Sequence, residues 1–369
     1  MKTAIDNIFD TWADELGPVK TVHLYDPQTG MKGIVVIDNV ACGPAIGGVR
    51  LAPDIGTSEI FRLARAMTLK NAAAGLPHGG GKAGILADPH LADKETLLRA
   101  FARSIRDLVD YIPGPDMGTD ERCMGWIYEE IGRCIGRPRS LGGIPLDEIG
   151  ATGYGLAQVA GLALPFAGIT ITDATLAIQG FGNVGRHAAR FLTDMGIRLV
   201  AASDSSGAIY RQEGLDVTEL TRIKAKKGTV LAYPDARRLK GPELVELPCD
   251  LLVPAARPDV ITAANVDRVK ARIIIEGANI PVTEDAERML HERGVLCIPD
   301  FIANAGGVIC AAVEYSGGGE QQAMTAIKEK LTSNTRKLLE VVTEENLYPR
   351  EAAMQMALRR LREAMALRH

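Results

Sequence analysis

No pair of cysteines in this chain has the C-x-x-C spacing. The six present (Cys42, Cys123, Cys134, Cys249, Cys297 and Cys310) are scattered over 369 residues. That pattern excludes a disulfide scaffold and a zinc site, and suits a reduced, cytoplasmic enzyme. The six histidines show no ligand spacing either, so no metal is expected. Apolar runs long enough to span a bilayer are missing, and residues 1–17 carry acids where a signal peptide needs an apolar core. An excess of positive charge is missing too: 42 basic against 46 acidic residues give a formal charge of −4 without a basic tract. Nucleic acid is therefore not an expected partner, and neither is a membrane. The chain holds no internal repeat and no low-complexity tract, and it is too long for one ordinary core, which predicts two domains.

What is present centres on residues 67–84, MTLKNAAAGLPHGGGKAG. Upstream, apolar residues recur at helical spacing (Ile60, Leu63, Ala64, Met67), which predicts a helix. Pro77 and Gly79-Gly80-Gly81 then read as its stop, so that Lys82 leaves a tight loop poor in side chains. A lysine crowded by a second ammonium, here Lys70, and by low-dielectric walls loses affinity for its proton and becomes usable as a base. The plainer alternative is a helix-terminating loop with two solvated lysines. Gly47-Gly48 in GPAIGGVRLAPD lets a backbone carbonyl face a ligand or simply turns the chain into a strand. Asp116, in YIPGPDMGTDERCMGWI, suits proton exchange with a substrate amine, particularly if desolvation raises its pKa. The alternative role is a helix cap, for which Asp120 is the more natural candidate.

A short acidic helix is expected at the start, followed by strands in KTVHLYDP and MKGIVVIDNV around the turn Pro27–Gly30. The loop-like residues 136–150 mark the domain boundary. Beyond it, residues 175–204 read as strand, Gly180-x-Gly182-x-x-Gly185, helix, second strand and Asp204. Gly180 permits the turn, Gly182 lets main-chain amides reach a pyrophosphate, and Gly185 allows close helix–strand packing. The anion would sit at the helix N-terminus, beside Asn183 and Val184. Asp204 can accept from both hydroxyls of an adenine ribose, favouring NAD over NADP, although its Asp-Ser-Ser setting leaves NADP open. Further apolar strands end in small or polar residues: Ala255 and Ala256, then Asn279, then Asn304. Asn304 either contacts the cofactor or satisfies loop amides. The late helices read as packing or subunit-contact elements.

Together GPAIGGVR, LPHGGGKAGILADP, PDMGT, ATGYG, QGFGNVG, EGAN and NAGGV resemble the glutamate/leucine/phenylalanine/valine dehydrogenase superfamily from about Lys32 to about Glu314. The resemblance implies an α/β fold: an N-terminal α/β substrate domain (1–145), a C-terminal Rossmann-type parallel-sheet domain (146–329), a cleft between them, and a final helix (about 330–369) returning to the first. It implies a homo-oligomer that converts a 2-amino acid to a 2-oxo acid and ammonium. Lys82 would activate water, Lys70 hold the α-carboxylate, and Asp116 shuttle the amine proton. Asn279 would orient substrate and cofactor, and Thr152 bind the nicotinamide amide. The family's glutamate enzymes hold the γ-carboxylate with a lysine before the glycine pair and a serine three residues after the valine of NAGGV (here Val308). This chain has Ile46 and Ala311 there. An unpaired charge in an apolar pocket costs roughly several kcal/mol, so the expected side chain is branched aliphatic or aromatic. The alternatives are a glutamate dehydrogenase with an atypical pocket and a catalytically silent regulatory paralogue.

Overall fold

The computed structural model describes residues 11–368, and the acidic helix expected at the start lies largely outside them. The chain divides into two compact units: Met1–Pro145 with Cys310–Gln322 and Met356–His369, and Leu146–Ile309 with Ala323–Gln355.

The first unit is built on a five-stranded sheet of order β1-β2-β4-β3-β5. Its strands are β1 (Lys20–Asp26), β2 (Met31–Asn39), β3 (Ala45–Ala52), β4 (Gly79–Leu86) and β5 (Tyr111–Pro115). β1 and β2 form the expected hairpin, closed by Asp26, whose Oδ2 accepts from the Thr29 hydroxyl at 2.6 Å. β3, β4 and β5 run parallel to one another. Alternation along these strands sorts the side chains. Val35, Ile37, Val49, Leu51, Ala83 and Ile85 bury one face with Leu98, Phe101, Met124 and Ile127, from the helices Lys94–Ser104 and Glu121–Ile131. Ile34 and Val36 bury the other against Ile60, Phe61 and Ala64 of the helix Thr57–Ala73.

Residues 79–82 correct the sequence expectation. They lie inside a strand, in the middle of the sheet, and not in a loop after a helix. The glycines are required by what packs on them. A Cβ on Gly80 would stand 2.0 Å from the Thr68 nitrogen of the covering helix, and one on Gly47 would stand 1.6 Å from the Gly81 oxygen. Glycine here serves close approach of backbones, a tertiary demand that local sequence reads as a chain break.

The second unit carries a seven-stranded sheet, order β12-β11-β10-β6-β7-β8-β9. The strands are β6 (Thr175–Gln179), β7 (Arg198–Asp204), β8 (Gly207–Tyr210), β9 (Arg237–Leu239), β10 (Leu251–Pro254), β11 (Ile273–Ile275) and β12 (Leu296–Ile298). From β12 to β7 all pairings are parallel, as expected of a Rossmann-type sheet; β8 and β9 extend the edge antiparallel. A tight return at Ser205-Ser206 after β7, in place of a helical crossover, gives that edge its direction. The chain starts at β6, moves outward through β7, and resumes on the other side of β6 with β10. That reversal is the switch point at which such sheets bind ligands.

The terminal segments also differ from expectation. Residues 310–322 belong to the first unit, where the buried Glu314 accepts from the amides of Arg137 and Ile144. Residues 323–355 belong to the second, where Leu331 packs on Gly155. The last helix, Pro349–Ala366, joins the first unit only over its final turns, through Arg360 donating to the Leu76 carbonyl at 2.9 Å.

Gly47→Ala should be destabilising by about 1–3 kcal/mol or more, since neither backbone can yield without opening the sheet. Thermal unfolding should show a clear drop in midpoint, whereas Gly56→Ala, at an ordinary φ of −110° with open space at its Cβ, should lose far less.

Candidate functional site

In the first unit the sheet register builds a graded row of side chains. Ile46 pairs with Gly80 on one side and Ile112 on the other. Two residues further on, Gly48 pairs with Gly114 and falls level with Lys82. One more step brings Arg50 beside Asp116, which follows the end of β5. Ile46, Ile112 and Ile135 form a buried apolar cluster with Ala311. Chemistry thus changes from apolar to charged over two steps of one sheet face.

Lys82 Nζ lies 2.7 Å from Asp116 Oδ2, and the same oxygen accepts from Arg50 Nε at 3.0 Å. Glu59, in the first turn of the helix Thr57–Ala73, pairs with the Arg50 guanidinium from the other side. Only 8% of the Lys82 side chain is exposed, against 21% for Asp116. Burial pushes the Lys82 ammonium below its ordinary pKa; Asp116 works against that shift, and the Arg50 charge adds to it. Arg50 is therefore a cation beside Lys82 whose place there the sequence did not indicate. Burial alone would raise Asp116, but Lys82 and Arg50 outweigh it and hold the carboxyl below its ordinary value. Asp116 is thus an ionised acceptor here, contrary to the desolvated acid considered from sequence.

Backbone geometry fixes the pair. Thr119 Oγ accepts from the Asp116 amide at 2.9 Å and donates to the Val49 carbonyl at 2.8 Å. Gly118 takes φ +81°, where a Cβ would meet the Leu51 oxygen at 2.0 Å. The buried Tyr111 hydroxyl donates to the Gly47 carbonyl at 2.8 Å. A Cβ on Gly48 would stand 2.7 Å from that of Asp116 and 3.2 Å from Lys82 Nζ, so its absence makes room for the pair. Asp120, as expected, caps the helix Glu121–Ile131 by accepting from the Cys123 amide. Lys70 stands half-buried in the last turn of the helix Thr57–Ala73, two residues past Thr68, which packs on Gly80. Arg50, Glu59, Tyr111 and Thr119 were not singled out from sequence. The Met-Gly-Thr after Asp116 was the available signal for Thr119; nothing local marks Glu59.

In the second unit the C-terminal ends of β6, β10 and β11 gather a group of small residues. Gly180 takes φ +95°, and its missing Cβ would lie 2.5 Å from that of Ala256. Ala255 donates its amide to the Gln179 carbonyl at 2.7 Å. Gly185 packs so closely that a Cβ would meet the Gly180 oxygen at 2.0 Å. Gly182 is the N-cap of the helix Asn183–Asp194, with no side-chain cap and no acid in the first turn. Its Cβ would point into open space. An uncapped helix N-terminus with free approach fits a pyrophosphate group. Asn183 and Val184 are partly exposed in that first turn.

The structure bears on two expectations about this unit. Asp204 does end β7, but its carboxylate is engaged: Oδ2 takes Lys224 Nζ at 2.5 Å and the Val230 amide at 2.8 Å, and Oδ1 takes the Ser206 amide. With 5% of its side chain exposed, it has little capacity left to bridge two ribose hydroxyls. Asn304 is buried, and its Nδ2 donates to the Ala278 carbonyl at 3.0 Å and to Asn279 Oδ1 at 3.2 Å. It holds the EGAN turn, the loop-satisfying role weighed from sequence. Asn279 itself is exposed. Thr152, second in the helix Ala151–Phe166, faces Gly307, whose Cβ would meet its Oγ1 at 3.3 Å. Val308 follows, one helical turn before Ala311.

A dinucleotide-type switch point and a separate buried lysine–carboxylate pair define a two-domain amino-acid dehydrogenase. The chain belongs to the Glutamate/Leucine/Phenylalanine/Valine dehydrogenase family, whose model matches residues 142–368 while the family's dimerisation-domain model matches residues 18–133. It is 42% identical over 357 residues to a glutamate dehydrogenase of Aeropyrum pernix, covering 89% of this chain and 85% of that one. An NADP-specific glutamate dehydrogenase of Saccharolobus shibatae is 36% identical, with 89% and 83% covered. The hetero-hexameric glutamate dehydrogenase of Thermus thermophilus in its Leu-bound form superposes with a TM-score of 0.84 at 30% identity, covering 95% of this chain and 90% of that one.

Gly182→Ala should leave thermal stability nearly unchanged yet weaken binding of NADH, because the added methyl meets only the incoming phosphate. Gly185→Ala should instead lower the melting midpoint. Equal effects of the two on fluorescence-monitored NADH binding and on melting would contradict the anion-site assignment.

Proposed function

We propose that the protein catalyses pyridine-nucleotide-dependent oxidative deamination: a 2-amino acid, NAD(P)⁺ and water give a 2-oxo acid, ammonium, NAD(P)H and a proton. The observation that carries this reading is the buried Lys82–Asp116 pair beside the empty Cβ position of Gly48. When bound, the nicotinamide supplies the hydride acceptor. The first unit's residues do the proton chemistry. Lys70 holds the α-carboxylate, and Asp116, an ionised acceptor, takes a proton from the substrate ammonium so that Cα can lose hydride and become an iminium. Lys82, its proton affinity lowered by burial, then deprotonates the water that adds to the iminium carbon. From the second unit, Asn279 and Thr152 orient the reacting groups, and the helix after Gly182 holds the pyrophosphate.

Glutamate has the better support as substrate, since the relatives are named for it. The branched aliphatic or aromatic alternative has one observation in its favour. Ile46 and Ala311 meet in a buried apolar cluster and offer no partner for a second carboxylate. Use of both NAD and NADP is supported by the engagement of Asp204 with Lys224, which reduces the repulsion a 2′-phosphate would meet, and by the NADP-specific relative. A homo-oligomer fits the dimerisation-domain match, and an oligomer of some kind is supported by the hetero-hexameric Thermus protein. The six unpaired cysteines suit a reducing, cytoplasmic setting. No helix among the described residues is long and apolar enough to cross a membrane.

Lys82→Ala should abolish turnover while NADH binding survives. In the parent enzyme kcat/KM should rise with pH through an ionisation below the ordinary lysine range. Arg50→Met removes a charge that opposes protonation of Lys82, so that limb should move to higher pH; a shift to lower pH would refute its assignment. Initial rates on glutamate, leucine, valine and phenylalanine, each with NAD and NADP, decide the substrate and cofactor. Glutamate alone being turned over would remove the apolar reading, and no turnover on any of them would support a silent regulatory subunit.

A further inference from the structure

Directly beneath the EGAN turn of the second unit lies a buried charge cluster that the proposed chemistry does not use. Arg350, at the start of the helix Pro349–Ala366, grips Glu287 with a fork: Nε to Oε2 at 2.5 Å and Nη2 to Oε1 at 2.8 Å. The same Nη2 reaches Glu276 Oε2 at 3.2 Å and Asp300 Oδ1 at 3.1 Å. The guanidinium carbon sits 5.5 Å above the Phe301 ring. Glu276 also accepts from the Asp300 amide at 3.1 Å and from the Cys297 thiol at 3.4 Å. Glu276, Glu287 and Cys297 are spaced closely enough to hold a metal ion. Two of the three, however, already have the Arg350 guanidinium as their cation, so a second positive ion is not needed.

The backbone directly above is strained. Ile280, the residue after Asn279, takes φ +48°. A β-branched residue at positive φ is a genuine outlier that persists only where its surroundings enforce it. The enforcing contact is visible: the Ile280 amide donates to Asp300 Oδ2 at 3.0 Å, while the other oxygen of that carboxylate is held by Arg350. From the opposite side Asn304 holds the Ala278 carbonyl and the Asn279 side chain. The turn is therefore clamped at the residues flanking an exposed Asn279.

We infer that Arg350 and Asp300 are positioning residues: they hold Ile280 in its strained conformation and thereby set the direction of the Asn279 side chain toward the substrate. This rests on the proposed amino-acid dehydrogenase activity, in which Asn279 is a substrate contact. Burial, with the Glu287 and Asp300 carboxylates as neighbours, raises the pKa of Glu276 well above the ordinary range, and Arg350 opposes that rise. That direction favours a proton on Glu276 over a third negative charge beside one arginine.

A double-mutant cycle tests this. Arg350→Lys and Asp300→Asn should each raise the KM for the amino acid about tenfold, the scale of one lost charged hydrogen bond, with kcat changed less. Asn279→Ala should raise KM by at least as much. Adding Arg350→Lys to Asn279→Ala should then raise KM no further, because the clamp acts through that side chain. Ile280→Gly removes the strain and should restore most of the KM lost in Arg350→Lys. Multiplicative KM effects in the Arg350/Asn279 pair, or a lower melting midpoint with KM unchanged, would overturn the inference. A parent enzyme inactive on every amino acid would instead overturn the dehydrogenase reading on which the inference rests.

Discussion

A lysine and an aspartate held 2.7 Å apart on a mixed sheet, with little water to solvate either, constrain the rest of the first unit. Removing two charges from water costs several kcal/mol per ion, and their mutual attraction returns that only when geometry is good and remaining hydrogen-bonding capacity is met. Much of the surrounding sequence serves that requirement. Arg50 supplies a second cation to the carboxylate, Glu59 balances Arg50, and Thr119 fixes the Asp116 backbone. Glycines at 47, 48, 80 and 81 let strands and the covering helix approach until the pair is shielded. A buried ion pair is weak evidence for stability, so its maintenance by so many residues argues for chemical use.

The second unit presents a different case, a helix start whose backbone is left unshielded. The reversal of strand order between β6 and β10 brings Gly180 against Ala256 and leaves the helix after Gly182 without a cap. On the same sheet edge, the turn after β11 is held in a strained form by charge-assisted hydrogen bonds from below. One site depends on leaving polar groups unpaired, the other on pairing them completely.

The dinucleotide half was the more legible from sequence because its signals are local. A turn needing positive φ, a helix start and a close helix–strand contact each depend on residues within six positions of one another. Gly180 and Gly185 meet these demands in the expected way. Lys82 was picked out correctly as a buried, depressed lysine, but for the wrong local reason. Its glycines read as chain-breaking, whereas their role is set by Thr68 and Gly47, elements distant in the sequence. Asp204 shows the same limit. Its place at the end of β7 was predictable, but its engagement depends on Lys224, twenty residues further along.

From the sequence alone follow the existence of two α/β units, the boundary near residue 145, the order of strand, glycine turn and helix after Thr175, and the types of residue available for proton transfer. These depend on periodicity and short-range sterics, which neighbouring residues set among themselves. Only the tertiary structure decided that Asp116 is ionised, that Arg50 crowds Lys82, and that Arg350 braces the EGAN turn. Proton affinity and backbone strain depend on burial and on charges a few ångströms away, and residues 50, 82 and 116, like 280, 300 and 350, become neighbours only when the chain is folded.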